Sequence, residues 1–168
     1  MMGTGDLHDG LIPYAMRDIF EKRHNVTKAG AAVDIKLSFV EIYMEKCYDL
    51  LCSKEESQRG CLDVRETSSG EMSVSGLSEH PVYDVESMIK YLSKAAKVRS
   101  TGSTEMNIQS SRSHAICTVY VRVTIPTVEQ NHSTTTPNKT LVSKLHFVDL
   151  AGSERLEKTL ATGSTLHE

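Results

Sequence analysis

The sequence predicts an α/β fold, a mixed β-sheet with helices on both faces. Three observations point there. Val33, Ile35, Leu37 and Phe39 alternate with polar residues, as do Cys117, Val119, Val121, Val123 and Ile125, and period-two runs of that kind are half-buried strands. Ile12, Met16, Ile19 and Phe20 recur at helical spacing, and so do Val85, Met88, Ile89, Leu92, Ala95 and Ala96. Strands and helices do not alternate one for one, which argues for a mixed rather than a purely parallel sheet.

The bulk properties are those of one ordinary domain. The 168 residues are enough for a real core. Aromatic residues are only 5% and Trp is absent, so Val, Leu, Ile and Met must fill it. The net charge of −3 gives no general attraction to nucleic acid or to an anionic membrane. No apolar run approaches the ~18 residues of a membrane span. MMGTGDLHDG has no basic region followed by an apolar one and does not read as a signal peptide. Cys47, Cys52, Cys61 and Cys117 match no zinc or CxxC spacing, so reduced thiols in a cytosolic protein are expected. The histidines are scattered, and a His/Cys metal site is not indicated.

Taken in order, the first helix is expected over 13–24, with Pro13 in its first turn and a loop from Asn25 to Ala31. A strand follows from Val33, buried on both sides at its far end, where Val40 and Ile42 join the pattern. Glu41 is the oddity there, since a carboxylate among apolar residues needs either a partner or a solvated edge. Glu45 to Leu51 reads as one or two helical turns, and 53–60 as a polar loop. Short strands are expected at 62–66 and 72–74 around Ser68-Ser69-Gly70, and a third near 79–82. Asp84 is a good N-cap for a helix over 85–99, which Ser100-Thr101-Gly102 ends. The strand 115–125 stops at Pro126; after a Thr-, Asn- and Ser-rich loop, 141–150 is a nearly all-apolar strand, and 151–168 has weak structure.

Two polar runs flank these last strands. Asn107 to His114, NIQSSRSH, precedes the first, and Asp149 to Glu154, DLAGSE, closes the second. The connection between the strands is roughly 15 residues with no helical stripe, and a parallel pairing would need a crossover, usually a helix, so an antiparallel hairpin is expected. That topology brings the two runs to one edge. Clustered hydroxyls and a guanidinium suit a phosphate with its metal ion. Asp149 at the tip of an apolar strand is where nucleoside triphosphatases place the acid that holds Mg²⁺. Asp149-Leu-Ala-Gly152 is a D-x-x-G pattern in which Gly152 lets a backbone N–H approach a terminal phosphate. Ser110 and Ser111 offer hydroxyls, and Arg112 and Glu154 carry opposite charges that can pair as a latch. Each pattern alone is common; the two full runs at hairpin separation are not.

Those runs resemble a known family. NIQSSRSH resembles the switch I motif of kinesin motor domains, N-x-x-S-S-R-S-H, and DLAGSER their switch II motif, D-L-A-G-S-E. GLIPYAMRDIF, SFVEIYMEKCYDLL, LDVRETSSGEMSVSGLSEHPV and RSTGSTEMNIQSSRSH extend the likeness along nearly the whole chain, and TGSTEMN with HFVDLAGSER looks most like the chromokinesin-type (kinesin-4) group. The resemblance implies a P-loop-NTPase-like motor fold and an ATP-driven, microtubule-based motor, cytoplasmic and cytoskeletal, using ATP and Mg²⁺, with tubulin as partner and no nucleic acid or membrane. It implies that Ser111 ligands Mg²⁺, that Ser110 and Asn107 lie near the phosphates, and that Asp149 holds the metal's water shell. Gly152 would sense the γ-phosphate, Arg112 and Glu154 would form the latch, and Arg99 and Thr104 would support switch I. Arg155 and Lys158 would lead toward the tubulin-facing helix.

The chain also departs from the family pattern. It contains no G-x-x-x-x-G-K-[ST], the loop that cradles the phosphates. Residues 1–168 are therefore expected to be the central part of a motor domain, truncated at both ends, with dimerisation through regions not present. Alone, the chain is expected to turn over little ATP, because switch contacts do not replace a phosphate cradle. An incomplete sheet with an unpaired edge also predicts marginal stability. A non-catalytic module that binds tubulin or another partner is the alternative. A GTPase-like switch is weaker, since no N-K-x-D is present.

Overall fold

The computed structural model describes residues 9–52, 60–101, 112–127 and 138–153. In chain order they form α1 (Leu11–Lys28), β1 (Ala32–Tyr43), β2 (Lys46–Asp49), β3 (Val64–Glu66), β4 (Met72–Val74), β5 (His80–Pro81), α2 (Val85–Thr101), β6 (His114–Ile125) and β7 (Lys139–Asp149). One sheet runs β2-β1-β6-β7 with β5 paired to β1, and β3 and β4 form a separate two-stranded ribbon. By contacts the chain divides into two compact units, and β1, α2, β6 and β7 each contribute to both.

The first unit holds α1, the start of β1, β5, the start of α2 and most of β6 and β7. Ile12, Met16, Leu37, Met88, Leu92, Cys117 and Val119 are among its fully buried side chains. α1 is longer than the apolar spacing indicates, because its last two turns are polar. There Thr27 Oγ1 donates back to the Arg23 carbonyl at 2.8 Å, and the helix closes at Gly30, whose φ is +90°. β5 pairs antiparallel with Lys36 and Leu37 of β1, and Val82 N–H donates to the Ile35 carbonyl at 2.9 Å. Pro81, which lacks an N–H, is tolerated in so short a strand. Asp84 caps α2 as expected: its Oδ1 accepts the Ser87 N–H at 2.6 Å. That bond holds the Asp84 carboxyl below its ordinary range.

The second unit holds the end of β1, β2, the β3–β4 ribbon, the end of α2, the start of β6 and the residues after Phe147. Here one expectation fails. Glu45 to Leu51 is not helical: β2 pairs antiparallel with β1 from Tyr43↔Lys46 to Val40↔Asp49. The two residues between them, Met44 and Glu45, have φ of +48° and +60°. That is the positive-φ geometry of a tight two-residue hairpin, here without the usual Gly or Asn signal. Cys47 and Asp49 are buried while Lys46 is exposed, which is a strand's alternation over too few residues to read beforehand.

Asp49 then ties the loops beyond the hairpin. It is 5% exposed, and its two oxygens accept the N–H of Leu51 at 2.8 Å and of Ser78 at 2.9 Å. Lys94 of α2 caps the same turn by donating to the Leu51 carbonyl at 2.8 Å. β3 and β4 pair antiparallel about Gly70, as expected, with β3 shorter than 62–66.

β6 and β7 are neighbours, and two side-chain contacts give their direction. His114 at the start of β6 meets Ala151 just past β7, while Thr118 further along β6 meets His146 further back along β7. The strands are antiparallel, and the start of one lies beside the end of the other. β7 is less buried than its composition implies: of its apolar side chains Phe147 is buried, and Leu141, Val142, Leu145 and Val148 are exposed.

Candidate functional site

The described part of the site lies within the second unit, where three periodic apolar faces each run on into a polar residue. On β1, Glu41 continues the buried face of Ile35, Leu37 and Phe39. On α2, Arg99 continues the stripe of Met88, Leu92 and Ala95. Just before β6, Ser113 continues the face of Ala115, Cys117 and Val119 one step backward. Glu41 is 4%, Arg99 8% and Ser113 0% exposed. A buried charge needs a counter-charge and hydrogen bonds, and these three supply them to one another.

Ser113 Oγ donates to Glu41 Oε1 at 2.6 Å, a short charge-assisted bond. Arg99 Nε and Nη2 approach Ser113 Oγ at 3.3 and 3.2 Å, and Nη2 also donates to the Ser113 carbonyl at 2.9 Å. Arg99 Nε lies 3.4 Å from Glu41 Oε1. The remaining arm reaches outward: Nη1 donates to Asp149 Oδ2 at 3.0 Å. One guanidinium thus joins the end of the first polar run to the start of the second. A second tie lies beside it, where Ala151 N–H donates to His114 Nδ1 at 3.1 Å, which puts the proton of a neutral imidazole on Nε2.

Asp149 differs from the others. Its side chain is 46% exposed, and Oδ1 accepts no hydrogen bond among the described residues. A half-exposed carboxylate with one oxygen held and one open fits the water shell of a hard divalent cation. No three His, Cys, Asp or Glu side chains cluster as a complete metal cage among the described residues. Mg²⁺ is usually held by one or two protein groups together with substrate phosphates, and Asp149 would be one such group. Such an ion would neutralise phosphate charge there.

Of the residues singled out from the sequence, Glu41, Arg99, Arg112, Asp149 and Gly152 are described. Gly152 is exposed, one residue past the Ala151–His114 tie, and Arg112 is half-buried beside Ser113. Asn107, Ser110, Ser111 and Glu154 lie outside the described residues, as do Thr104, Arg155 and Lys158. Ser113 and His114 were not singled out, although both stand inside NIQSSRSH. For Ser113 a signal existed, since it has the parity of the buried face of β6.

The kinesin motor domain family model matches residues 1–168. The chain belongs to the kinesin motor domain family. It is 39% identical over 99% of its length to the kinesin-like protein KIN-4C of Arabidopsis thaliana. It is 38% identical over all of its length to the human centromere-associated protein E, and 37% over 95% to the mouse chromosome-associated kinesin KIF4. It spans only 14%, 6% and 12% of those three proteins. Among solved structures it resembles a fast kinesin, described for its ATPase mechanism and interactions with microtubules, with a TM-score of 0.77 at 30% identity over 99% of this chain and 44% of that one. The expected fold class holds: the architecture is the α/β, mixed-sheet fold of a kinesin motor domain. Kinesins are ATPases whose motor domains bind microtubules, so nucleotide and Mg²⁺ use and a cytoskeletal setting are family traits.

Proposed function

We propose that this chain is the central, nucleotide-reading part of an ATP-driven microtubule motor. The observation that supports this most is Arg99 holding Ser113 and Asp149 together, because it makes one site of two runs that are far apart in sequence. In this reading Asp149 holds the water shell of Mg²⁺, with Ser111 as a direct ligand. Asn107 and Ser110 contact phosphate, and Gly152 reports the γ-phosphate through its N–H. Arg112 and Glu154 pair when the site closes. ATP is the substrate, tubulin the partner, and the cytoskeleton the place of action. The phosphate cradle that completes the site is not encoded in these 168 residues. The chain by itself therefore reads γ-phosphate without gripping the nucleotide, and its solitary ATP turnover is low.

A chimera tests this directly. The matching segment of a microtubule-stimulated kinesin is replaced by residues 1–168, and ATP turnover is measured with and without microtubules. Stimulated turnover is expected. A chimera that melts cooperatively and binds ADP yet shows no stimulation overturns the reading in favour of a non-catalytic, partner-binding module.

A further inference from the structure

We infer that Glu41 is the positioning residue of this site: it holds Arg99 from the buried side, so that the Arg99–Asp149 contact is the one able to open. The argument starts from a single proton. The Ser113 hydroxyl has one, and it goes to Glu41 Oε1 at 2.6 Å. The hydroxyl must then accept from Arg99, and it does so from both Nε and Nη2. Glu41 therefore sets the polarity of the whole network. Its carboxylate also faces Arg99 Nε directly at 3.4 Å. Two of the three guanidinium nitrogens are committed inward, and Nη1 reaches Asp149.

The two carboxylates hold Arg99 unequally. The Glu41 side chain is 5% exposed and the Asp149 side chain 46%. Attraction between charges is stronger where water is excluded and weak where it screens. Glu41 also sits within a paired strand, opposite Tyr48, while Asp149 ends one. When Asp149 turns toward a cation's water, Arg99 stays on Glu41 and Ser113 and is present to take Asp149 back. This consequence rests on reading Asp149 as the metal-facing acid; the anchoring itself does not.

The test uses the 168-residue chain without nucleotide, so its failure is distinguishable from failure of the motor reading. Folding equilibria of the wild type, Glu41→Gln, Asp149→Asn and the double variant are measured by urea denaturation. Gln still accepts the Ser113 proton but lacks the charge. Each single variant removes one of the two carboxylates described on Arg99 and the double variant removes both, so the double is expected to lose at least fivefold more in folding equilibrium than the product of the singles. A smaller coupling overturns the proposal. Where the double variant does not fold, the Arg99 Nε–H resonance of the single variants decides. It is expected to keep its position and slow solvent exchange in Asp149→Asn and to lose both in Glu41→Gln. Glu41 acting only as an acceptor for Ser113 would leave that resonance unmoved in Glu41→Gln, and this result, or loss in Asp149→Asn instead, overturns the assignment.

Discussion

Replacing Arg99 by Met removes the side chain that contacts Glu41, Ser113 and Asp149 together. The consequence can be worked from its contacts. Met fills most of the stem volume, so the cavity left behind is small. The polar loss dominates. Glu41, 4% exposed, loses the guanidinium beside it, and the buried Ser113 carbonyl loses the Nη2 donor at 2.9 Å. Breaking a buried pair by removing one partner costs about 3–5 kcal/mol. The arm to Asp149 adds little, at most about 1 kcal/mol, because that carboxylate is half in water. A total of about 4 kcal/mol compares with a whole-domain stability of about 5–15 kcal/mol. Urea denaturation followed by circular dichroism should show the midpoint falling by roughly a quarter to four-fifths, the larger drop for the less stable domain. A loss below about 1 kcal/mol would refute the claim that the network is a structural node.

Three other outcomes follow from the same contacts. Asp49→Ala removes the acceptor of the buried Leu51 N–H and of the part-buried Ser78 N–H and should cost about 1–3 kcal/mol in the same assay, whereas Asp63→Ala, at an exposed pair, should cost almost nothing. Asp84 has a depressed folded pKa because it accepts the Ser87 N–H, so its contribution is complete above the ordinary Asp value of about 4 and is lost as pH falls through the lower, folded value. Asp84→Asn should flatten that part of the stability–pH profile, and an unchanged acid limb would count against the cap. Burial pushes the Cys117 thiol up to about 12. Iodoacetamide at neutral pH should label the exposed Cys61 in the native chain and reach Cys117 only in urea, as read by peptide mass.

Sequence pattern exposed the long elements and the short strands β3, β4 and β5, and missed β2 and the end of α1, for reasons visible in particular residues. β1, α2 and β6 carry enough turns or alternations for their period to be counted. β2 has only four residues, and its turn puts Met44 and Glu45 at positive φ without any residue that advertises it. The end of α1 was missed because Asn25, Val26 and Thr27 carry no apolar stripe, and its hydrogen bonds run back along the helix instead. Apolar composition overstated the burial of β7, because composition does not say which neighbours cover a strand. At the site, Glu41 was legible as an anomaly but its partners were not, since one comes from a helix and another from a loop. The common signal was present three times: a polar residue standing where an apolar face should continue. Arg99, Glu41 and Ser113 each do this. Together they mark where the core gives way to a site.

The central claim is that the two polar runs form a single nucleotide-reading site through Arg99. Arg99→Lys in the chimera tests it most directly, read as microtubule-stimulated ATP turnover. Lys keeps the positive charge for Glu41 but has no planar fork to bridge Ser113 and Asp149 together. The account predicts a folded chimera whose stimulated turnover falls about a hundredfold, the cost of a small misplacement at a reacting centre. Turnover equal to that of the parent chimera would contradict it.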